Sequence, residues 1–321
     1  MTYTLLQGLF VIRYGDLPGR GPEPDGDTIK FLPDRPDLVK SLPLASGRPA
    51  KLNARGVSVR LEAVDALETH FSGTHQELAG ANAARDALLA GLGFTGVRFS
   101  RQKPNQVESA DQDAIYGHVL SNGIDANGRM ISFVYPGEPA AADGAEVFLD
   151  PTLAAQSSNA RLLEAGLVYP AFYDTLPADL REHLATLSRA ARSSQRPDGI
   201  WGRSTADPDG PAQVSGLAAL QELVIWPKLF RRLVSYLADG HQNFDALDSW
   251  LREDPVLRDD ALFLLEPQQR ARLHDVVRAA GQSVQLTVWP DDLVIAPDPA
   301  PAHAQPTSST VGRQTRQTAA Q

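Results

Sequence analysis

Up to about residue 150, the apolar residues of this 321-residue chain come in short runs cut by Gly, Pro and Asp clusters. Beyond residue 213 they return at helical spacing. Short runs with frequent turn signals cannot make long helices, and they fit a small sheet closed into a barrel. The strand candidates are LLQGLFVIRY, TIKFL, VSVRLEAV, IYGHVLS and RMISFVY.

Three helices join these strands. The first has Thr74 and Glu77 spaced as a capping box, with Leu78, Ala81, Leu88 and Leu92 as its apolar stripe and Gly91 or Gly93 as its stop. The second spans about 154–165 and stops at Gly166; the third follows Thr175 and Pro177. Residues 98–113, RFSRQKPNQVESADQD, read as an exposed insertion.

Pro, Gly, Asp and Ser cluster in 204–213, which predicts a linker between a first domain, 1–203, and a smaller, mainly helical accessory domain, 214–296. The helices expected there are VSGLAALQELVIW, KLFRRLVSYLADG, FDALDSWLRED and EPQQRARLHDVVRAAG, with SVQLTVW and DLVIA as strands. The stretch 297–321 is almost free of apolar side chains and is expected to be disordered.

Composition excludes several chemistries. With no cysteine there is no disulfide and no thiolate ligand or nucleophile. No apolar run nears the roughly 18 residues of a membrane span, and the opening MTYTLLQGLFVIRYG reads as a strand rather than a signal peptide, so a cytoplasmic protein is expected. The formal charge is -9, with 20 Lys and Arg against 24 Asp and Glu up to Arg203 and 10 against 15 after it. A broad basic surface for nucleic acid is therefore excluded, and a polyanion would need a local patch or a metal ion. His70 and His75 lack the i, i+4 spacing of a helical zinc site, and no phosphate-loop or esterase motif occurs.

Three acidic or basic turns carry what chemistry remains. PDGDTIKF offers Asp25 and Asp27 at a tight turn, RLEAVDALET offers Arg60, Asp65 and Glu68 at a strand end, and DANGRMISFVY sets Arg129 at the mouth of a strand. Strict alternation puts Arg60, Glu62 and Val64 on one face of a strand and Leu61, Ala63 and Asp65 on the other. Each turn alone is a common solvated hairpin. Together, carboxylates for a hard cation, a glutamate for water and two guanidinium forks are what phosphodiester hydrolysis uses.

These blocks resemble the thermonuclease family, the staphylococcal nuclease-like proteins. DGDTIKF matches its DGDT strand start, RLEAVDALET its R-L-x-x-x-D-x-P-E-T block, and Asn127-Gly128-Arg129 its Tyr-Gly-Arg. SNARLLEAGLVY and LREHLATLSRAARSSQRPDGIWG resemble its last two helices, so the likeness covers most of 20–203.

The resemblance implies an α+β protein built on a five-stranded OB-fold barrel with three helices, acting as a nuclease on DNA or RNA. Arg60 and Arg129 would bind phosphate and Glu68 would position or deprotonate water. Asp27, Asp65 and the carbonyl of Ala66 would hold calcium, and Tyr169 and Tyr173 lie where family tyrosines meet the substrate, though packing serves them equally well.

Leu67 replaces the family proline, which removes a turn restraint beside Glu68, and Asn127 replaces the tyrosine. A second register aligns Tyr116-Gly117-His118 with Tyr-Gly-Arg, which would put a histidine in the arginine's place. The different-class alternative is a catalytically weak or inactive OB module that binds nucleic acid or a protein. A partner could also be met by the C-terminal helices. Arg181, Arg189, Arg192 and Arg196 read as a solvated helix face or as a phosphate track.

Overall fold

A computed structural model describes residues 1–17, 19–45 and 47–296; the expected tail, 297–321, lies outside the described residues. Alternating burial builds the first layer. In β1 (Thr2–Val11), β2 (Thr28–Pro33) and β3 (Val57–Leu61), Phe10, Ile29, Phe31, Val57, Val59 and Leu61 point inward and are buried. β1 pairs antiparallel with β2, and β2 with β3. β3 then runs parallel to Met130–Pro136, which is antiparallel to Ala114–Ile124, and that strand returns to β1. The ring β1, β2, β3, Met130–Pro136, Ala114–Ile124 and back to β1 is a closed five-stranded barrel with OB-like strand order.

Helix Leu78–Leu92 joins the third and fourth barrel strands and buries Ala81, Ala84, Leu88, Leu89 and Leu92. Its cap is Glu77, whose side chain accepts from the Gly80 amide at 2.7 Å. Thr74, expected to cap, instead closes the turn Phe71–Thr74 and accepts from Gln221 Nε2 at 2.7 Å. The other two helices run Ser158–Glu164 and Ala178–Ser194. The expected insertion carries a small hairpin of Arg98–Phe99 and Val107–Ser109.

A second sheet lies beside the barrel. Its order is Gln269–Arg272, Ala261–Leu264, Leu293–Ile295, Tyr169–Tyr173 and β4 (Ala63–Asp65). A second core gathers Leu67, Tyr169 and Trp201 with Trp226, Phe230, Tyr236 and Trp250. Residues on both sides of 204–213 thus share a sheet and a core, and within that stretch Ala206 and Ala212 are themselves buried.

The C-terminal part carries more strand than its sequence predicts. EPQQRARLHDVVRAAG is not one helix: it gives strand Gln269–Arg272, one turn Leu273–Val276 and strand Val277–Ala280. Leu273 and Val276 bury an i, i+3 pair, but no apolar residue precedes them at helical spacing, and ladder pairing with Ala261–Leu264 takes the start. In VSGLAALQELVIW only Leu217–Gln221 is helical, whereas Pro227–Ala238 and Leu247–Glu253 form as expected. Among the described residues no helix is long and apolar enough to cross a membrane.

Candidate functional site

The site begins where one strand becomes two. β3 belongs to the barrel and β4 to the second sheet, and the chain changes sheets at Glu62–Ala63, with Ala63 at φ 70. A strict strand would send Arg60 and Asp65 to opposite faces. The kink instead turns Asp65 back, and Arg60 Nη2 donates to Asp65 Oδ1 at 2.7 Å. The alternation expected through this stretch is therefore corrected by a left-handed residue at the junction.

Asp27 reaches the same point from β2. Thr28 pairs with Arg60 across the ladder, and the Leu61 amide donates to the Asp27 carbonyl at 2.8 Å. The Asp27 carboxylate accepts from the Ala66 amide at 2.8 Å and from Thr28 Oγ1 at 3.0 Å, and it forms an ion pair with Arg60. Gly26 allows this approach, because a Cβ there would lie 2.6 Å from Ala66 Cβ and 2.7 Å from Ala84 Cβ.

Glu68 is held through its backbone. Its amide donates to Gln76 Oε1 at 3.1 Å, its carbonyl accepts from the Gln76 amide at 2.9 Å, and Gln76 Nε2 donates onward to the Ile225 carbonyl at 2.9 Å. Burial raises the Glu68 carboxyl above its ordinary value, against the pull of Arg231. Burial also acts to raise Asp65, but the Arg231 and Arg60 guanidiniums override it and hold that carboxyl below the usual range. Asp25, half-buried beside them, is pushed up to about 8 by burial and by the Asp27 and Glu68 charges.

Arg231 is the residue that sequence reasoning missed. From helix Pro227–Ala238 its Nη2 donates to Asp65 Oδ2 at 3.0 Å, and its Nη1 pairs with Glu68 Oε1. Lys228 and Arg232, on the same helix, both bind Asp260, at 2.7 and 2.8 Å. A signal was present: three cations at i, i+3 and i+4 beside Leu229, Phe230 and Leu233 sit too close to an apolar stripe to be wholly solvated.

Arg129 stands at the start of the fifth barrel strand, as expected, but it is not joined to the cluster. Its Nε donates to Asp125 Oδ2 at 2.8 Å. Arg60 pairs with Ile131 across the parallel ladder, and Arg129 stands just before that strand, which begins at Met130. His118, the alternative, lies mid-strand, stacked on Tyr135 at 5.1 Å and bonded to the Gly137 carbonyl.

The two tyrosines separate. Tyr173 is exposed, with its ring 5.9 Å from Lys228 Nζ. Tyr169 is 1% exposed, bonded to Ser204 Oγ at 2.8 Å and edge-on to Trp201, so it packs in the second core and presents no face to a ligand. Of the four helix arginines, Arg192 pairs with the buried Asp291 and lies 4.1 Å over the Trp289 ring, which makes it a structural contact rather than part of a phosphate track.

As a cation site the donor chemistry suits calcium, since Asp27, Asp65 and the Ala66 carbonyl offer only hard oxygens. The arrangement is built around guanidiniums: both Asp65 oxygens and one of Glu68 are bonded to arginine, and Ala66 turns its amide, not its carbonyl, to Asp27. Among the described residues no three acidic or histidine side chains are gathered as a ready metal group. A divalent ion would have to take Asp65 from Arg231. No protein-family model matches the chain, and no curated protein matches it.

Proposed function

We propose that the chain is a phosphodiesterase of DNA or RNA, of the staphylococcal nuclease-like kind, acting at the Arg60 cluster. The observation that carries the reading is convergence: Asp27, Arg60 and Asp65 meet in ion pairs at the edge of an OB-like barrel, with Glu68 tied to Asp65 through Arg231. Segments 30 or more residues apart would not pair by chance turn chemistry.

Arg60 offers a guanidinium that can fork onto phosphate oxygens once it shares its carboxylates. Arg129, just before the strand that pairs with Arg60, is the second cation for the charge that builds on the phosphate. Glu68, with its carboxyl raised by burial, accepts a proton as the water oxygen bonds to phosphorus; the departing oxygen takes a proton from solvent. Asp27, Asp65 and the carbonyl of Ala66 would hold calcium, which when bound supplies positive charge at the phosphate.

The test is cleavage of single- and double-stranded DNA and RNA, with calcium or with chelator, beside Glu68→Gln, Arg60→Ala and Arg129→Ala. Cleavage by wild type that the variants lose is the expected result. Equal cleavage by all four proteins would sink these roles.

One observation favours a second reading, a binding module without catalysis. Arg231 engages both Asp65 and Glu68. Nucleic-acid binding with no cleavage under any metal condition would decide for that module.

A further inference from the structure

We propose that Arg231 is a built-in counter-cation: it holds Asp65 and Glu68 closed, and a divalent cation gains Asp65 only by displacing it. The functional meaning of this exchange rests on the phosphodiesterase reading; the exchange itself does not.

The geometry gives Arg231 that role. Its two terminal nitrogens reach both Asp65 oxygens and Glu68 Oε1, so one guanidinium ties the carboxylate that would hold the cation to the one that would accept the proton. Around them Asp27, Asp65 and Glu68 face Arg60 and Arg231, three negative charges against two positive. Without Arg231 the ratio is three to one, which favours a dication strongly.

A way out exists. The Arg231 side chain keeps 23% exposure, whereas Lys228 and Arg232 are tied to Asp260. Helix Pro227–Ala238 is thereby pinned on its other cations. Arg231 can leave by turning its own side chain while the helix stays in place. The cation comes from beyond residue 213, so the C-terminal part of the chain sets how readily the barrel-edge carboxylates become free.

The size of the effect follows from population. If the closed arrangement dominates by tenfold or more, apparent calcium affinity is reduced by that same factor. Calcium alone is titrated into the full-length wild type, Arg231→Met and Arg231→Lys by calorimetry. We expect Arg231→Met to bind at least about tenfold tighter than wild type, Arg231→Lys to fall between, and Asp65→Asn in the Arg231→Met background to abolish binding. Equal or weaker binding by a folded Arg231→Met would overturn the proposal.

Should Arg231→Met not fold, wild type alone suffices: phenylglyoxal labelling followed by mass spectrometry reads whether calcium frees Arg231. Faster labelling of Arg231 with calcium supports exchange; an unchanged rate refutes it. Cleavage assays on the same proteins keep the two ideas apart. Tighter calcium binding with no cleavage by any form removes the phosphodiesterase reading and leaves exchange standing, whereas cleavage without tightening removes exchange alone.

Discussion

Replacing Asp65 by asparagine removes the hub of the charge cluster while keeping its shape. Asp65 is 1% exposed and accepts from Arg60 at 2.7 Å and from Arg231 at 3.0 and 3.3 Å. Removing one partner of a buried ion pair costs about 3–5 kcal/mol. Here Arg60 keeps Asp27 and Arg231 keeps Glu68, so the lower end applies, about 3 kcal/mol. For a chain of this length whose two cores share a sheet, that is a fall of roughly 5 °C in Tm.

The pH dependence gives a second handle on the same residue. The folded Asp65 carboxyl lies below its ordinary value, so its stabilisation is present above the unfolded value of about 3.9 and is lost as pH falls through the folded one. The gap between wild type and Asp65→Asn should be full at pH 7 and should shrink in acid below about pH 4. Denaturant unfolding across that range is the assay. A double-mutant cycle with Arg231→Met should show a coupling of at least about 1 kcal/mol. A gap under about 1 kcal/mol at pH 7, or one that persists unchanged in acid, would refute the reasoning.

Two further outcomes are expected. Gly26→Ala forces a methyl group against Ala66 and Ala84 and should cost about 1–3 kcal/mol in unfolding experiments; a neutral result would mean that the loop does not pack as closely as described. For Asp25→Asn the sign is reversed from Asp65: the wild-type carboxyl is raised to about 8, so its favourable contribution is complete below the unfolded value of about 4 and drains away as pH climbs through about 8. The variant should gain on wild type steadily over that interval in urea unfolding, and a constant difference would count against the assignment.

The barrel was legible because its strands advertise themselves. TIKFL and VSVRL alternate buried and outward residues with no interruption, and Asn127-Gly128 marks the turn before the fifth strand. Asp27, Arg60, Asp65 and Glu68 were legible as charged residues at turns and strand ends, and the structure brings them together. What escaped is non-local. A helix over EPQQRARLHDVVRAAG is locally reasonable, and only the ladder with Ala261–Leu264 overrides it. Arg231 escaped for the same reason, since its partners lie more than 160 residues away. For Tyr169 the sequence leaves packing and substrate contact equally open, because neighbours in YPAFYD give no sign that a tryptophan and Ser204 would enclose it.

Leu67 poses the sharpest question in the sequence, because a proline there would restrain the turn beside Glu68. In the structure Leu67 is fully buried in the second core, and Glu68 is bonded at both its amide and its carbonyl to Gln76, itself anchored on Ile225. A compatible proline contributes only about 0.4–1 kcal/mol, by narrowing the unfolded chain. Burying a leucine side chain contributes about 1.5–3 kcal/mol, before the hydrogen bonds are counted. Leucine therefore fixes Glu68 more firmly than proline would, but through a core that exists only when residues beyond 213 are folded against the barrel. The C-terminal part thus both positions the glutamate and, through Arg231, occupies it.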